Sequence, residues 1–440
     1  MKKLLFFILC LFTGMVSNAQ MNNIEFVEYD LDNGLHVILH QDNSTPIVTV
    51  SVMYHVGSKN ENPNRTGFAH FFEHLLFEGS ENIGRGEYSR YVEEAGGTLN
   101  ANTSYDRTYY YETLPSNQLE LGMWLESERM LHAKVDQKGI DTQREVVKEE
   151  KRQTMDNRPY GKLLMETMKR AFKVHPYQWS IIGSMDHLNA AQEADYVNFY
   201  KKYYVPNNAV LSIAGDIDIE QTKIYVDKYF GSIPPGKGII ERPNIVEPPL
   251  TSETIDTVYD NIQLPAVVLG YRIPAQGTPD YYAVTLLGQL LAQGQSSRLH
   301  KSMVDEQQKA LAVGSFPLPL EDPGLNLAFG ITNMGVDPSQ LIEGMTLEIE
   351  RTQNELISDE EFQKLKNQVE NTFVSSNSRV AGIAESLANY HMYYGDANLI
   401  NTELERYLSV TKEDIQRVAN KYFTRDNRVV LYYLPQPATP

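Results

Sequence analysis

The sequence predicts an α/β protein, of the α+β type, with two duplicated domains of about 210 residues, each a mixed, mostly antiparallel sheet packed with helices. Three observations support this fold class. The chain has 440 residues, more than a single hydrophobic core usually organises. Strand and helix patterns alternate along it. Segments of the N-terminal half also recur in the C-terminal half, although chance similarity between common patterns is an alternative.

In the N-terminal half, residues 48–56 alternate and are rich in β-branched side chains, which predicts a strand. Residues 67–76 have the spacing of a helix, and residues 143–153 form a second, more charged helical pattern. Residues 210–214 predict a strand that follows a turn at Pro206.

The C-terminal half repeats this pattern with a strand at residues 267–273, a helix at residues 282–291 and a final strand at residues 428–434. The offsets between matching segments are 217, 214 and 219 residues. The matching pairs are residues 54–56 (YHV) with 271–273 (YRI), 68–69 (FA) with 282–283 (YA), and 203–208 (YYVPNN) with 422–427 (YFTRDN). Residues 233–249 are rich in Pro and Gly and predict a linker between domains at residues 20–232 and 250–440.

The N-terminus has the pattern of a signal peptide at residues 1–19. Lys2 and Lys3 precede an apolar run, and Ser17 and Ala19 are small residues at positions −3 and −1 of a cleavage site after Ala19. An uncleaved anchor is the alternative, but the run covers only about 20 Å of a roughly 30 Å bilayer core. We therefore expect export, with a periplasmic or secreted mature protein that is not inserted in the membrane.

Composition excludes several classes of function. Asp and Glu outnumber Lys and Arg by 57 to 39, and the net charge of −18 disfavours binding to nucleic acid or to anionic membrane surfaces. The single cysteine, Cys10, lies within the predicted signal peptide. The mature chain can therefore use neither disulfides nor thiolate catalysis.

The pentad His70-Phe71-Phe72-Glu73-His74 carries the clearest chemical pattern. Positions four apart on a helix differ by about 40° around its axis, so the imidazoles of His70 and His74 lie on one face. This arrangement is typical of a two-histidine metal site, and Glu73 could reach a water there without being a ligand. The alternative is a pair of ordinary histidines beside an incidental glutamate.

A catalytic zinc usually takes three protein ligands, so a third His, Asp or Glu is required. Glu150 lies three and four residues after Val147 and Val146, which predicts that it shares their apolar stripe and faces the core. Glu149 would point away from that stripe. The sequence favours Glu150 as the third ligand, although a glutamate in a charged helix is more often a solvated surface residue.

These residues resemble the pitrilysin and insulysin family of zinc metallopeptidases, whose H-x-x-E-H motif reverses the thermolysin-type order. The resemblance extends over nearly the whole mature chain, and the size matches the two-domain branch, which includes bacterial proteins similar to the mitochondrial processing peptidase. Other matching segments are residues 31–35 (LDNGL), 67–70 (GFAH), 77–80 (FEGS), 96–101 (GGTLNA) with Thr103, 175–177 (HPY) and 182–184 (IGS).

The resemblance implies a zinc endopeptidase or oligopeptidase with one Zn²⁺ per chain, bound by His70, His74 and Glu150. Glu73 would be the general base, acting on a water whose pKa zinc lowers from about 16 towards 7. The N-terminal domain would be catalytic, and the homologous C-terminal domain, which has residues 284–288 (VTLLG) in place of the pentad, would not.

The resemblance also implies how a peptide substrate is bound. The segment made of Asn100, Ala101, Asn102 and Thr103 would form an edge strand to which an extended substrate is added.

One departure from the family concerns the substrate carbonyl. Relatives commonly carry an Arg and a Tyr seven residues apart in the second domain, where this chain has Glu306 and Val313. Such donors can be worth about 3 to 4 kcal/mol of the barrier. We therefore expect a heterodimer with a paralogous subunit that carries the Arg/Tyr pair, with a homodimer as the alternative. A non-catalytic scaffold or peptide-binding subunit of a processing-peptidase-like assembly is the competing function.

Overall fold

The computed structural model describes residues 23–437, so the predicted signal peptide at residues 1–19 lies outside the described residues. The N-terminal half forms one sheet from β1 (Val27–Asp30), β2 (His36–Gln41), β3 (Ile47–Tyr54), β4 (Thr98–Thr103), β5 (Thr108–Pro115) and β6 (Ala209–Gly215). The C-terminal half forms a second sheet from β7 (Thr254–Asp260), β8 (Ala266–Ile273), β9 (Ala310–Pro317), β10 (Gly324–Thr332) and β11 (Arg428–Pro435).

The strand orders of the two sheets demonstrate the duplication. The first sheet has the order β1-β2-β6-β3-β5-β4 and the second has the order β7-β11-β8-β10-β9, which is the same arrangement without the first strand. Among the strands that the structure describes, each sheet has one parallel pair, β2 with β6 and β7 with β11, and its other pairs are antiparallel. The predicted fold class is confirmed.

Helices pack around both sheets. The N-terminal half contributes α1 (Phe68–Leu75), α2 (Glu87–Glu94), α3 (Leu119–Leu131), α4 (Gln137–Lys151), α5 (Leu163–Ala171), α6 (Met185–Ala190), α7 (Glu193–Tyr203) and α8 (Ile219–Phe230). The C-terminal half contributes α9 (Pro279–Ala292), α10 (Pro338–Asn354), α11 (Asp359–Ser376), α12 (Val380–Tyr394), α13 (Leu399–Leu408) and α14 (Lys412–Tyr422). Within residues 23–437, none of these helices combines the length and apolar composition needed to cross a membrane.

The central strands β2, β3 and β6 of the first sheet are buried on both faces, to which their side chains point alternately. Val37 and Leu39 of β2 belong to the core shared with α1, α3 and α4, whereas Ile38 between them faces the other way. That second face is covered by α12 from the C-terminal half, through Ile383 and Leu387.

The second sheet is covered in the reciprocal way by α5 from the N-terminal half, with Met168 packed in the same cluster as Val268. Each half therefore completes the core of the other. In the described chain no helix or strand lies between α8 and β7, where the sequence predicts a linker at residues 233–249. The domain limits at residues 20–232 and 250–440 stay a prediction.

Candidate active site

Helix α1 carries His70, Glu73 and His74, and it begins where two glycines meet. Gly67, which precedes the helix, has a left-handed φ of 94°. A Cβ placed on Gly183 would lie only 2.3 Å from the Cα of Gly67. This close backbone approach explains why both segments 67–70 and 182–184 carry glycine.

Buried side chains hold the two ends of α1. The carboxylate of Glu61 accepts hydrogen bonds from the backbone N–H groups of Gly67 and Ala69, each at 2.8 Å. At the other end, Nη1 of Arg129 donates to the carbonyl of Leu76 at 2.8 Å. Both side chains satisfy backbone groups that have no partner within the helix, and the positive charge of Arg129 also favours the helix dipole at the C-terminus. No motif in the sequence indicated either residue.

Helix α4 packs beside α1 and brings Glu150 to it. Its N-terminus is capped by Asp136, whose Oδ1 accepts the N–H of Gly139 at 2.7 Å. The prediction that Val146 and Val147 both face the core is correct for Val147, which is fully buried, and wrong for Val146, which is 42% exposed. Glu150 therefore lies on the Val147 side of the helix, and the chain turns into a short π-helix, Arg152–Asp156, soon after it.

Three predicted ligands converge at this point. Nε2 of His70 lies 3.5 Å from Oε1 of Glu150, and Nε2 of His74 lies 3.0 Å from Oε2 of the same carboxylate. The two imidazole rings are 4.8 Å apart with their planes at 71°. The neighbouring imidazoles hold the pKa of the Glu150 carboxyl well below its usual range, which keeps that group ionised.

The donor set fits a zinc ion. Two imidazole nitrogens and a carboxylate with bonds of about 2.0–2.2 Å would lie roughly 3.3 Å apart around a tetrahedral zinc, close to the spacing seen. Oε2 of Glu150 is buried and, although it lies 3.0 Å from Nε2 of His74, forms no hydrogen bond of acceptable geometry with any residue that the structure describes. A cation between the imidazoles would satisfy the carboxylate oxygen.

Glu73 lies beside the end of β4. Its Oε2 accepts a hydrogen bond of 2.6 Å from the hydroxyl of Thr103, and the side chain is half-buried. Strand β4 is the last strand of the first sheet and, within residues 23–437, pairs with β5 alone. The structure therefore brings Asn100, Ala101, Asn102 and Thr103 to a sheet edge next to α1.

The corresponding positions of the C-terminal half lack metal-binding groups. Helix α9 contains residues 284–288, and Val284, Leu286 and Leu287 are buried in its core. Glu306 is exposed just before β9, and Val313 is half-buried within that strand.

The duplicated fold and this cluster of two histidines and two glutamates define the class of two-domain metallopeptidases. A family model described as "Insulinase (Peptidase family M16)" matches residues 36–184, and a second, "Peptidase M16 inactive domain", matches residues 192–369. The chain belongs to peptidase family M16, which confirms the resemblance to the pitrilysin and insulysin family.

Relatives with the same architecture agree with this assignment. The chain is 30% identical to "Zinc protease PqqE" of Helicobacter pylori over 428 residues, covering 96% of each chain. It is 25% identical to "Mitochondrial-processing peptidase subunit beta" of Saccharomyces cerevisiae, over 89% of this chain and 87% of that protein. A crystal structure of a protease from Helicobacter pylori superposes with a TM-score of 0.89 at 29% identity, over 94% of this chain and all of that one.

Proposed function

We propose that this chain is a zinc endopeptidase that hydrolyses extended or unfolded peptides, with one zinc ion held by His70, His74 and Glu150. The observation that carries the proposal is that one ligand atom from each of these residues lies within 4.8 Å of the others. When bound, zinc would act as a Lewis acid that makes water more acidic and polarises the scissile carbonyl.

The protein's own groups would position the peptide and move the proton. Glu73 would take a proton from the attacking water and pass it to the leaving amine. The hydrogen bond from Thr103 would orient the Glu73 carboxylate for this transfer. Asn100, Ala101, Asn102 and Thr103 would bind the substrate backbone by strand addition, which selects for extended chains.

The functional unit would be a heterodimer in the periplasm, or outside the cell, after removal of residues 1–19. A yeast relative is by its name a subunit, which supports an assembly of two chains. A non-catalytic scaffold remains the second candidate, because residues 192–369 match a domain described as inactive.

Two variants test the site and separate these candidates. Glu73→Gln keeps the shape of the side chain but removes the base, so it should retain zinc while the rate falls at least about a hundredfold. His74→Ala should lose one equivalent of zinc per chain by metal analysis, whereas His132→Ala, at a histidine outside the site, should keep it. Near-normal hydrolysis by Glu73→Gln would show that another group is the base, and an unaltered zinc content in His74→Ala would contradict the ligand assignment. Absence of zinc from the purified unaltered chain would favour the scaffold.

A further inference from the structure

A second cluster of histidine and carboxylate groups lies where the two halves meet. It consists of Glu28 on β1, His36 on β2 and His391 on α12. Nε2 of His36 lies 3.2 Å from Oε2 of Glu28, and Nδ1 of His391 lies 3.9 Å from the same oxygen. These separations are similar to those between the three groups beside α1.

The partners of His36 preset it as a ligand. Its Nδ1 is 2.7 Å from Oδ1 of Asp30, and its Nε2 faces Glu28. In the tautomer that donates its Nδ1 proton to Asp30, the lone pair on Nε2 would be available to a metal. A carboxylate that orients a ligating imidazole in this way also increases its basicity. Glu28 and Asp30 together place two negative charges beside two imidazoles, which attracts a divalent cation.

The position of His391 decides whether the groups can share a metal. Its ring is stacked on that of His36, with centroids 3.3 Å apart and planes within 10°. Lone pairs in parallel rings do not converge, so one ring must turn for both nitrogens to reach a single ion. His391 is the ring that can turn, because its side chain is 27% exposed whereas that of His36 is 11% exposed and held by Asp30.

We propose that Glu28, His36 and His391 form a second metal site, for a divalent transition metal such as Zn²⁺, with Asp30 as the outer partner of His36. Two imidazoles and one carboxylate suit zinc, cobalt or copper better than calcium or magnesium. The ion would tie the β1–β2 hairpin of the N-terminal half to α12 of the C-terminal half. This site is separate from the residues of the proposed zinc peptidase and does not depend on its activity.

Cobalt binding tests the proposal without any activity measurement. The full-length mature chain carrying His70→Ala and His74→Ala, stripped with chelator, is titrated with Co²⁺ by calorimetry and visible spectroscopy. We expect one Co²⁺ per chain, a visible d–d band and a higher unfolding temperature in its presence. Structural metal sites bind their ions far more tightly than about 1 mM. Absence of binding up to about 1 mM Co²⁺ would therefore overturn the proposal.

Further variants in that background assign the ligands. Glu28→Gln and His391→Gln should each weaken binding at least about tenfold, and Asp30→Asn should do so by about 10- to 100-fold. Glu28 is exposed, so its replacement leaves the core intact even if a histidine variant were to misfold. The matched control is His132→Ala, whose Nδ1 lies 3.3 Å from Glu81 outside both clusters, and it should bind as before. Equal weakening in this control, or none in the ligand variants, would also overturn the site.

Discussion

Burial and hydrogen bonding have opposite effects on the pKa of the Glu61 carboxyl. Burial raises the pKa of its carboxyl from 4.5 to about 8, although the N–H groups of Ala69 and Gly67 favour the charged form. In the unfolded chain the same group would ionise near its ordinary pKa. Between these two values the folded state holds a proton that the unfolded state has lost, so stability falls as the pH rises.

The first prediction concerns this pH dependence. We expect the free energy of unfolding of the chelator-stripped protein, relative to that of Glu61→Gln, to fall between about pH 5 and 8. One proton contributes a slope of about 1.4 kcal/mol per pH unit. The variant should itself lose about 1 to 3 kcal/mol at pH 5, since its amide –NH₂ cannot accept a helix N–H. Parallel curves from urea unfolding would show that Glu61 does not titrate in this range.

Sequence alone could identify some site residues and not others for a physical reason. His70, Glu73 and His74 follow one another on a single helix, so their spacing reports their geometry directly. Glu61, Arg129 and His391 act on groups brought close by folding, and no local period marks them. His391, for example, stacks on His36 of the other half of the chain.

At the scale of the element, the short helix α1 depends on the buried Arg129. The guanidinium of Arg129 pairs with Glu126 at 3.0 Å, and the side chains of both residues are almost completely buried. Its planar face also lies over the rings of Phe77 and Tyr110, each at 4.5 Å. This one side chain therefore links α3 to the end of the helix that carries His70 and His74.

The second prediction is that Arg129→Met destabilises the fold by about 3 to 5 kcal/mol, because it leaves Glu126 as an unpaired buried charge. The matched control is Arg90→Met, which removes an exposed arginine with the same i,i+3 pairing, to Glu87. That change should alter the free energy of unfolding by less than about 1 kcal/mol. If chemical denaturation showed that Arg129→Met and Arg90→Met lose the same free energy of unfolding, burial would not explain the effect of Arg129.

Helix α4 shows how far periodicity can be used. The spacing correctly predicted that Glu150 faces the site and that Glu149 faces outward, where it pairs with Arg152 at 2.7 Å. The same spacing also predicted that Val146 is buried in the core. The apolar stripe is narrower than that: Val147 is buried, whereas Val146 is exposed. The width of an apolar stripe depends on the element that packs against the helix, and the sequence of the helix itself does not show which element that is.

Strand β4 carries the third prediction. An edge strand recognises backbone N–H and C=O groups, and these are available in an extended peptide but paired inside a folded domain. We expect an unfolded, reduced protein to be cleaved at least about tenfold faster than its stable folded form, measured by mass spectrometry of the products. Glu73→Gln should cleave neither form. Equal rates for the two forms would contradict strand addition.

At the scale of the whole molecule, the two halves are joined by buried charges as well as by the exchanged helices α5 and α12. Lys59 is almost completely buried. Its Nζ lies 3.0 Å from Asp106 in the same half of the chain and 3.1 Å from Asp322 in the C-terminal half. His55 also reaches across, with Nε2 3.0 Å from Glu321. The repeated pattern predicted the duplication, but the exchange of helices follows from tertiary packing and had no signal in the sequence.

The last prediction concerns the partner chain. This chain has a complete candidate zinc site, but the family resemblance implies that Glu306 and Val313 replace the Arg and Tyr that contact the substrate carbonyl. In a homodimer both sites would lack those donors, whereas a paralogue with the pair would complete one site. Adding that paralogue to the purified chain should raise peptidase activity at least about tenfold, since lost oxyanion donors lower rates by about 100- to 1,000-fold. The same mixture with Glu73→Gln should stay inactive. Full activity of the isolated chain would show that other groups supply the donors.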